Sequence, residues 1–431
     1  MKKSLSLTET KSMNAKLFFL ILFLYQLLFT FQGLDLSDEG FFCTFYQEIF
    51  THPETVQYNF MFWFSGIVGG AFVTVFGDLG VWGLRLFTAI ITTGSIILVY
   101  NLLKNYLRAG NLQIGLLIAT VVMNNNTKVF HYDNLSVFFY IVTAIWLVKG
   151  LRNNKPKYLF LAGIIVAMDA FTRIPSIVNT GLVLAIFYYG FSHKVPFKKQ
   201  FGQAIIFGAG FVTGVAGMLL LMKMTGHLAI FLNAIALVGK MGSGGQESAY
   251  GFMKLIQQFI NAYFASVKIT ALILAAVLAG AVALNFIAKK GYYRRWMGPV
   301  LGAIAIAGII VLIRKGYIDN FTAIYFLTGL SLLAALLMLL DKTISKDLKL
   351  LMFIGCYILL SYPLGSGAGL YSVGIYSLWI AVPIAVDYLS SIQSLPRRFS
   401  NWIDGRQFVS IRKCTWIACI IVGVYYSWYY P

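Results

Sequence analysis

The sequence predicts an all-α polytopic membrane protein, with about 13 transmembrane helices and two further helices lying on the outer surface in the first outer loop. Three observations carry this. Hydrophobic residues make up 59% of the chain and charged residues only 11%. Apolar stretches of roughly 20 residues recur from end to end, each able to cross ~30 Å of hydrocarbon as a helix. The lysines and arginines behind the net charge of +19 sit in short segments between those stretches. That placement is the topological bias of cytoplasmic loops, and it argues against a nucleic-acid surface.

Taken in order, Lys2, Lys3, Lys11 and Lys16 precede the first apolar run. That run is long and is followed by no small-x-small site, so it reads as an uncleaved first span with a cytoplasmic N-terminus. Residues 33–79 then form a first outer loop. It opens with Asp35, Asp38, Glu39 and Glu48, a concentration of acids in a chain that holds only 15. Two surface helices are expected in it, near 39–51 and 58–76. The second is long enough to span, and the lysines and arginines arbitrate. If it lies on the surface, most of them fall on the cytoplasmic side; if it spans, most fall outside.

The spans are then expected near 15–32, 80–103, 111–124, 134–149, 157–173, 175–191, 201–222, 266–288, 298–313, 320–340, 348–363, 372–390 and 414–430. A second long outer segment covers 225–266 and contains Lys240 in a glycine-rich turn. The whole of 1–431 reads as one transmembrane domain without a soluble domain. Cys43, Cys356, Cys414 and Cys419 are scattered and show neither a disulfide framework nor metal spacing.

With that topology most acids face outward. An ionisable group at a bilayer surface is costly enough to suggest a partner or a task. Asp169 and Arg173 stand four apart on one helix and read either as an ion pair or as a carboxylate directing a cation. Lys128, His131 and Asp133 share one outer segment, and Asp38 with Asp133 could hold a divalent cation. The glycines of 363–374 read as a tight turn or as a cradle of exposed N–H groups.

Ser37-Asp38-Glu39-Gly40 after the first span, Trp82-Gly83-Leu84-Arg85-Leu86 at the start of the second, and His131-Tyr132-Asp133 resemble the GT-C superfamily of membrane glycosyltransferases. The likeness is to the branch of protein O-mannosyltransferases and aminoarabinose transferases. It departs from that branch where a proline-rich stretch is reduced to His52-Pro53-Glu54. The resemblance implies transfer of a sugar from a polyprenyl-phosphate donor to a glycan, lipid or protein acceptor at the outer face of the cytoplasmic (inner) membrane. It implies Asp38 as general base, with Glu39 orienting it or sharing a proton or a metal. The leaving phosphate needs cationic or N–H donors. Arg85, Lys128, His131, Arg173 and Lys240 are candidates, with Asp133 beside them. The rival readings are a lipid-linked oligosaccharide flippase or transporter, and a polysaccharide polymerase or ligase. The first calls for charges deep in many helices and matching halves. The second calls for outer arginines rather than an acid after the first span.

Overall fold

In hydrocarbon every backbone N–H and C=O must be satisfied inside the protein, which favours helices. The computed structural model describes residues 12–33, 35, 38–124, 128–242, 252–289, 307–308, 310–312, 314–316, 319–366, 369–391 and 416–425. Helices make up nearly all of it, and no strand occurs among the described residues. Seven helical runs among them are long and apolar enough to cross a membrane, and four shorter apolar helices accompany them. The chain is a polytopic all-α membrane protein. The span expected at 298–313 lies mostly outside the described residues, as do the ends of that at 414–430.

The first part of the chain holds α1 (Ala15–Leu27), α2 (Asp38–Glu48), α3 (Trp63–Phe76), α4 (Gly80–Leu103) and α5 (Ala109–Met123). Next come α6 (Tyr132–Arg152), α7 (Pro156–Thr172), α8 (Leu184–His193), α9 (Phe197–Met224), α10 (Leu228–Gly242) and α11 (Phe252–Lys289). The last are α12 (Asn320–Leu340), α13 (Lys346–Ser361), α14 (Leu378–Ser391) and α15 (Trp416–Tyr425).

Two stretches expected as regular helix begin as 3-10 helix: Pro53–Phe62 before α3 and Ile174–Val183 before α8. Each carries a proline in its first turn, which fixes φ but supplies no N–H. α11 starts at Phe252, inside the stretch expected as outer segment, and its 38 residues give a rod of about 57 Å. That exceeds ~30 Å of hydrocarbon, so part of it stands outside or tilts strongly.

α7 packs most extensively on α9. The reason is local: a Cβ on Gly163 would overlap the Phe207 carbonyl, and one on Gly210 the Phe160 carbonyl. Small residues at such crossings let helix backbones touch, which replaces the missing hydrophobic drive inside a bilayer. A second, aromatic core joins α2, α3 and the 3-10 stretch before it, with Phe45, Tyr46, Phe60 and Trp63 fully buried. His227, between α9 and α10, closes this core by accepting the Trp63 indole N–H at Nδ1 (3.0 Å).

Charged side chains collect at the two ends of the bundle. At one, Arg108 donates to Asp387 (2.8 Å) and Arg152 to Asp347 (3.0 Å). At the other, the C-terminal end of α1 meets the N-terminal ends of α2, α4 and α6 and the C-terminal ends of α7 and α13. That end carries the candidate site.

Candidate active site

The site begins with Arg85, one turn into α4 and buried among apolar helices. A guanidinium there must satisfy five N–H donors, and it does. Nε donates to Glu39 Oε1 (3.1 Å) and Nη2 to Glu39 Oε2 (2.5 Å). The remaining donors reach the carbonyls of Thr30 (3.0 Å), Gln32 (2.7 Å) and Gly33 (2.7 Å). Arg85 therefore ties the end of α1 to the start of α2, and this geometry leaves it no donor for a phosphate. Glu39, 1% exposed, faces Arg85 and accepts from the Asp35 N–H (3.2 Å). Asp38, the residue before it, is exposed at the N-terminal end of α2.

A narrow cavity lies beside this pair, lined by Gln26, Thr30, Arg85, Asn124, Lys128 and Tyr376 among others. It is narrow and partly open, with room for about one water. Lys128, half-buried, donates to the Asn124 carbonyl and lies 5.4 Å from the centre of the Phe29 ring. No carboxylate of a described residue lies within ion-pair distance of it. Burial lowers its ammonium pKa to about 7, offset in part by Glu39 and reinforced by Arg85. The Asn124 Nδ2 group is buried and has no hydrogen-bond partner among the described residues.

His131 follows, its backbone N–H held by Asn134 Oδ1 (3.1 Å). In the neutral ring, Nδ1–H donates to the Val129 carbonyl (3.1 Å) and Nε2 accepts from the Tyr376 hydroxyl (2.9 Å). Asp133, 2% exposed, accepts from the Tyr362 hydroxyl (2.7 Å). It lies 3.6 Å from His131 Nε2 and 3.8 Å from Arg173 Nε. Arg173 also donates to the Tyr362 carbonyl (2.8 Å) and stacks over the Tyr362 ring at 4.6 Å.

The sequence pairing of Asp169 with Arg173 is corrected here. α7 ends at Thr172, and Arg173 takes an extended backbone (φ −152°, ψ 110°), so its side chain leaves the helical face of Asp169. Asp169 is held instead by the Ser136 hydroxyl (2.5 Å) and the Asn179 amide (2.8 Å). Gly365, at φ +79°, sits where a Cβ would meet Pro175 at 2.6 Å, so the late glycine turn closes onto the chain that follows Arg173.

Glu39, Arg85, Lys128, His131, Asp133 and Arg173 thus share one end of the bundle, with Asp38 at its rim. Lys240 is exposed near the end of α10, which packs on the 3-10 stretch Pro53–Phe62. Among the described residues no cluster of three His, Cys, Asp or Glu side chains suits a metal. Tyr362, Tyr376 and Asn134 were missed by sequence reasoning. Only Asn134 carries a signal, three residues after His131 in a capping position.

No curated protein and no solved structure matches the chain. Residues 61–216 match a family model, and that stretch contains Arg85, Lys128, His131, Asp133 and Arg173, while Asp38, Glu39 and Lys240 lie outside it. The model is that of the dolichyl-phosphate-mannose-protein mannosyltransferases, a family of the GT-C kind, and over 61–216 the chain is similar to it.

Proposed function

We propose that the protein is a GT-C-type glycosyltransferase that moves a sugar from a polyprenyl-phosphate-linked donor to an acceptor hydroxyl at the outer face of the membrane. The family match over 61–216 supports the reaction class. The observation that carries the site is the charge balance of the buried layer. Glu39 pairs with Arg85 and Asp133 with Arg173, which leaves the Lys128 ammonium beside a cavity that also faces the unpartnered Asn124 amide. A cation and a spare N–H in a narrow recess suit the oxygens of a departing phosphate.

In the proposed step Asp38 accepts the proton of the acceptor hydroxyl as its oxygen bonds to the anomeric carbon. The bond from that carbon to the phosphate oxygen breaks, and the polyprenyl phosphate leaves with the electron pair. A phosphate leaves as an anion and needs no proton, so cations rather than a general acid serve it. Glu39 and Arg85 act together as the clamp that sets the start of α2, and so the place of Asp38. Arg173, His131 and Asp133 form the back wall through Tyr362 and Tyr376, and Lys240 stands at the periphery.

Proteoliposomes holding the full chain and a labelled polyprenyl-phosphate sugar test the reading. Wild type is expected to release polyprenyl phosphate, and Lys128→Gln to raise the donor KM by about tenfold or more. Movement of intact labelled lipid across the bilayer without turnover would replace this reading with a transporter.

A further inference from the structure

The aromatic residues around α2 divide into two sets. Phe45, Tyr46, Phe60 and Trp63 are fully buried and fill the core. Phe41, Tyr58, Phe62 and Tyr132 are only half-buried and group around the buried Phe42. Phe62 and Tyr132 stack at 3.9 Å with 6° between their planes. Phe41 meets Tyr58 at 6.2 Å, and Phe42 meets Phe62 at 6.5 Å and Tyr132 at 5.7 Å. Three elements supply these rings: α2, the 3-10 stretch before α3, and the first residue of α6. Asp38 stands three and four residues before Phe41 and Phe42 on one helix, so the carboxylate and the rings share a face.

We infer that the rings of Phe41 and Tyr58, set at 72° to each other beside the mutually stacked Phe62–Tyr132 pair, form an aromatic shelf for a pyranoside ring, whose C–H face lies on one of them with a hydroxyl toward Asp38. An acyl chain on the same shelf would press hydrocarbon against a carboxylate and strip its water, at a cost nothing repays. A pyranoside offers both surfaces that the shelf presents: polarised C–H bonds for the negative ring faces, and hydroxyls for Asp38. The inference rests on the glycosyltransferase reading for whether the ring belongs to donor or acceptor, but not for the binding itself.

The test uses the full chain in nanodiscs and saturation-transfer NMR with methyl manno- and glucopyranosides. Ring C–H protons of the glycoside are expected to receive saturation. The signal should fall at least about fivefold in Phe41→Leu and Tyr58→Leu, which keep apolar volume but lose the π face, and return in Phe41→Tyr and Tyr58→Phe. Binding by wild type and by Asp38→Asn without any sugar turnover would retire the transferase reading and leave the subsite standing. With turnover present, a raised donor KM in donor-only hydrolysis assigns the shelf to the donor sugar. Unchanged hydrolysis with a raised acceptor KM assigns it to the acceptor. A signal that is equal in wild type and both leucine variants, or lost alike in the leucine and the ring-keeping variants, overturns the inference.

Discussion

Arg85→Met removes the group that five acceptor contacts depend on. It strands Glu39, 1% exposed, with the Asp35 N–H still donating to it. It also frees the carbonyls of Thr30, Gln32 and Gly33. Breaking a buried pair from one side costs about 3–5 kcal/mol, most of it the bare charge. Gln32 is half-buried and Gly33 exposed, so water can rehydrate those two carbonyls, and they add little. Removing the charge as well should recover part of the loss. The double variant Arg85→Met/Glu39→Gln is expected to be more stable than the sum of the two singles by about 1–3 kcal/mol. Arg85→Lys should fall between, since a point charge cannot fork onto both carboxylate oxygens. Equilibrium unfolding of the full chain in mixed micelles measures all five proteins, wild type included. Sugar transfer should fall with clamp integrity, because a displacement of about 1 Å at Asp38 is worth roughly a hundredfold. Arg85→Met within about 0.5 kcal/mol of wild type, or a double variant no better than additive, would refute the reasoning.

Three other outcomes follow from the same geometry. Lys128, with its pKa lowered to about 7, is charged below that value and neutral above it. The donor KM should therefore hold steady at acid pH and climb by up to about tenfold per unit above 7, and Lys128→Arg should remove the climb. Burial lowers the pKa of His227 from the ordinary 6.5, and its Nδ1 must stay unprotonated to accept from Trp63. The neutral form is the one the fold favours, so this stability is present above pH 6.5 and lost as pH falls through the lowered value; unfolding in Trp63→Phe should show a shallower loss. Gly210→Val should push α9 off the Phe160 carbonyl of α7 and cost at least about 2 kcal/mol, read by the same unfolding assay.

How much of this was legible in the residues depended on the kind of question. Apolar runs of spanning length announce the helical fold, and the ionisable residues at the ends of alternate runs announce which residues meet at one end. Glu39, Arg85, Lys128, His131, Asp133 and Arg173 are scattered over 135 positions, yet a back-and-forth path gathers them. Partner choice was not legible. Glu39 and Arg85 are 46 positions apart, and Asp133 and Tyr362 are 229 apart. A tyrosine at the end of an apolar run reads as an interfacial anchor whether or not it holds a carboxylate. The Asp169–Arg173 pairing failed because an i,i+4 rule applies only while the helix lasts. Pro175 biases the residues before it away from helix, and the turn sends Arg173 to Asp133. The 3-10 stretches follow from similar punctuation at Pro53 and Pro175, where a period of 3.0 replaces 3.6.

The central claim is that Asp38 takes the acceptor's proton. Transfer of labelled sugar from a polyprenyl-phosphate donor should be measured for wild type and Asp38→Asn at matched protein levels. Asp38 is exposed, so the variant should unfold like wild type while its transfer rate falls by about 10²–10⁴-fold. A folded Asp38→Asn protein that transfers sugar at the wild-type rate would contradict the claim.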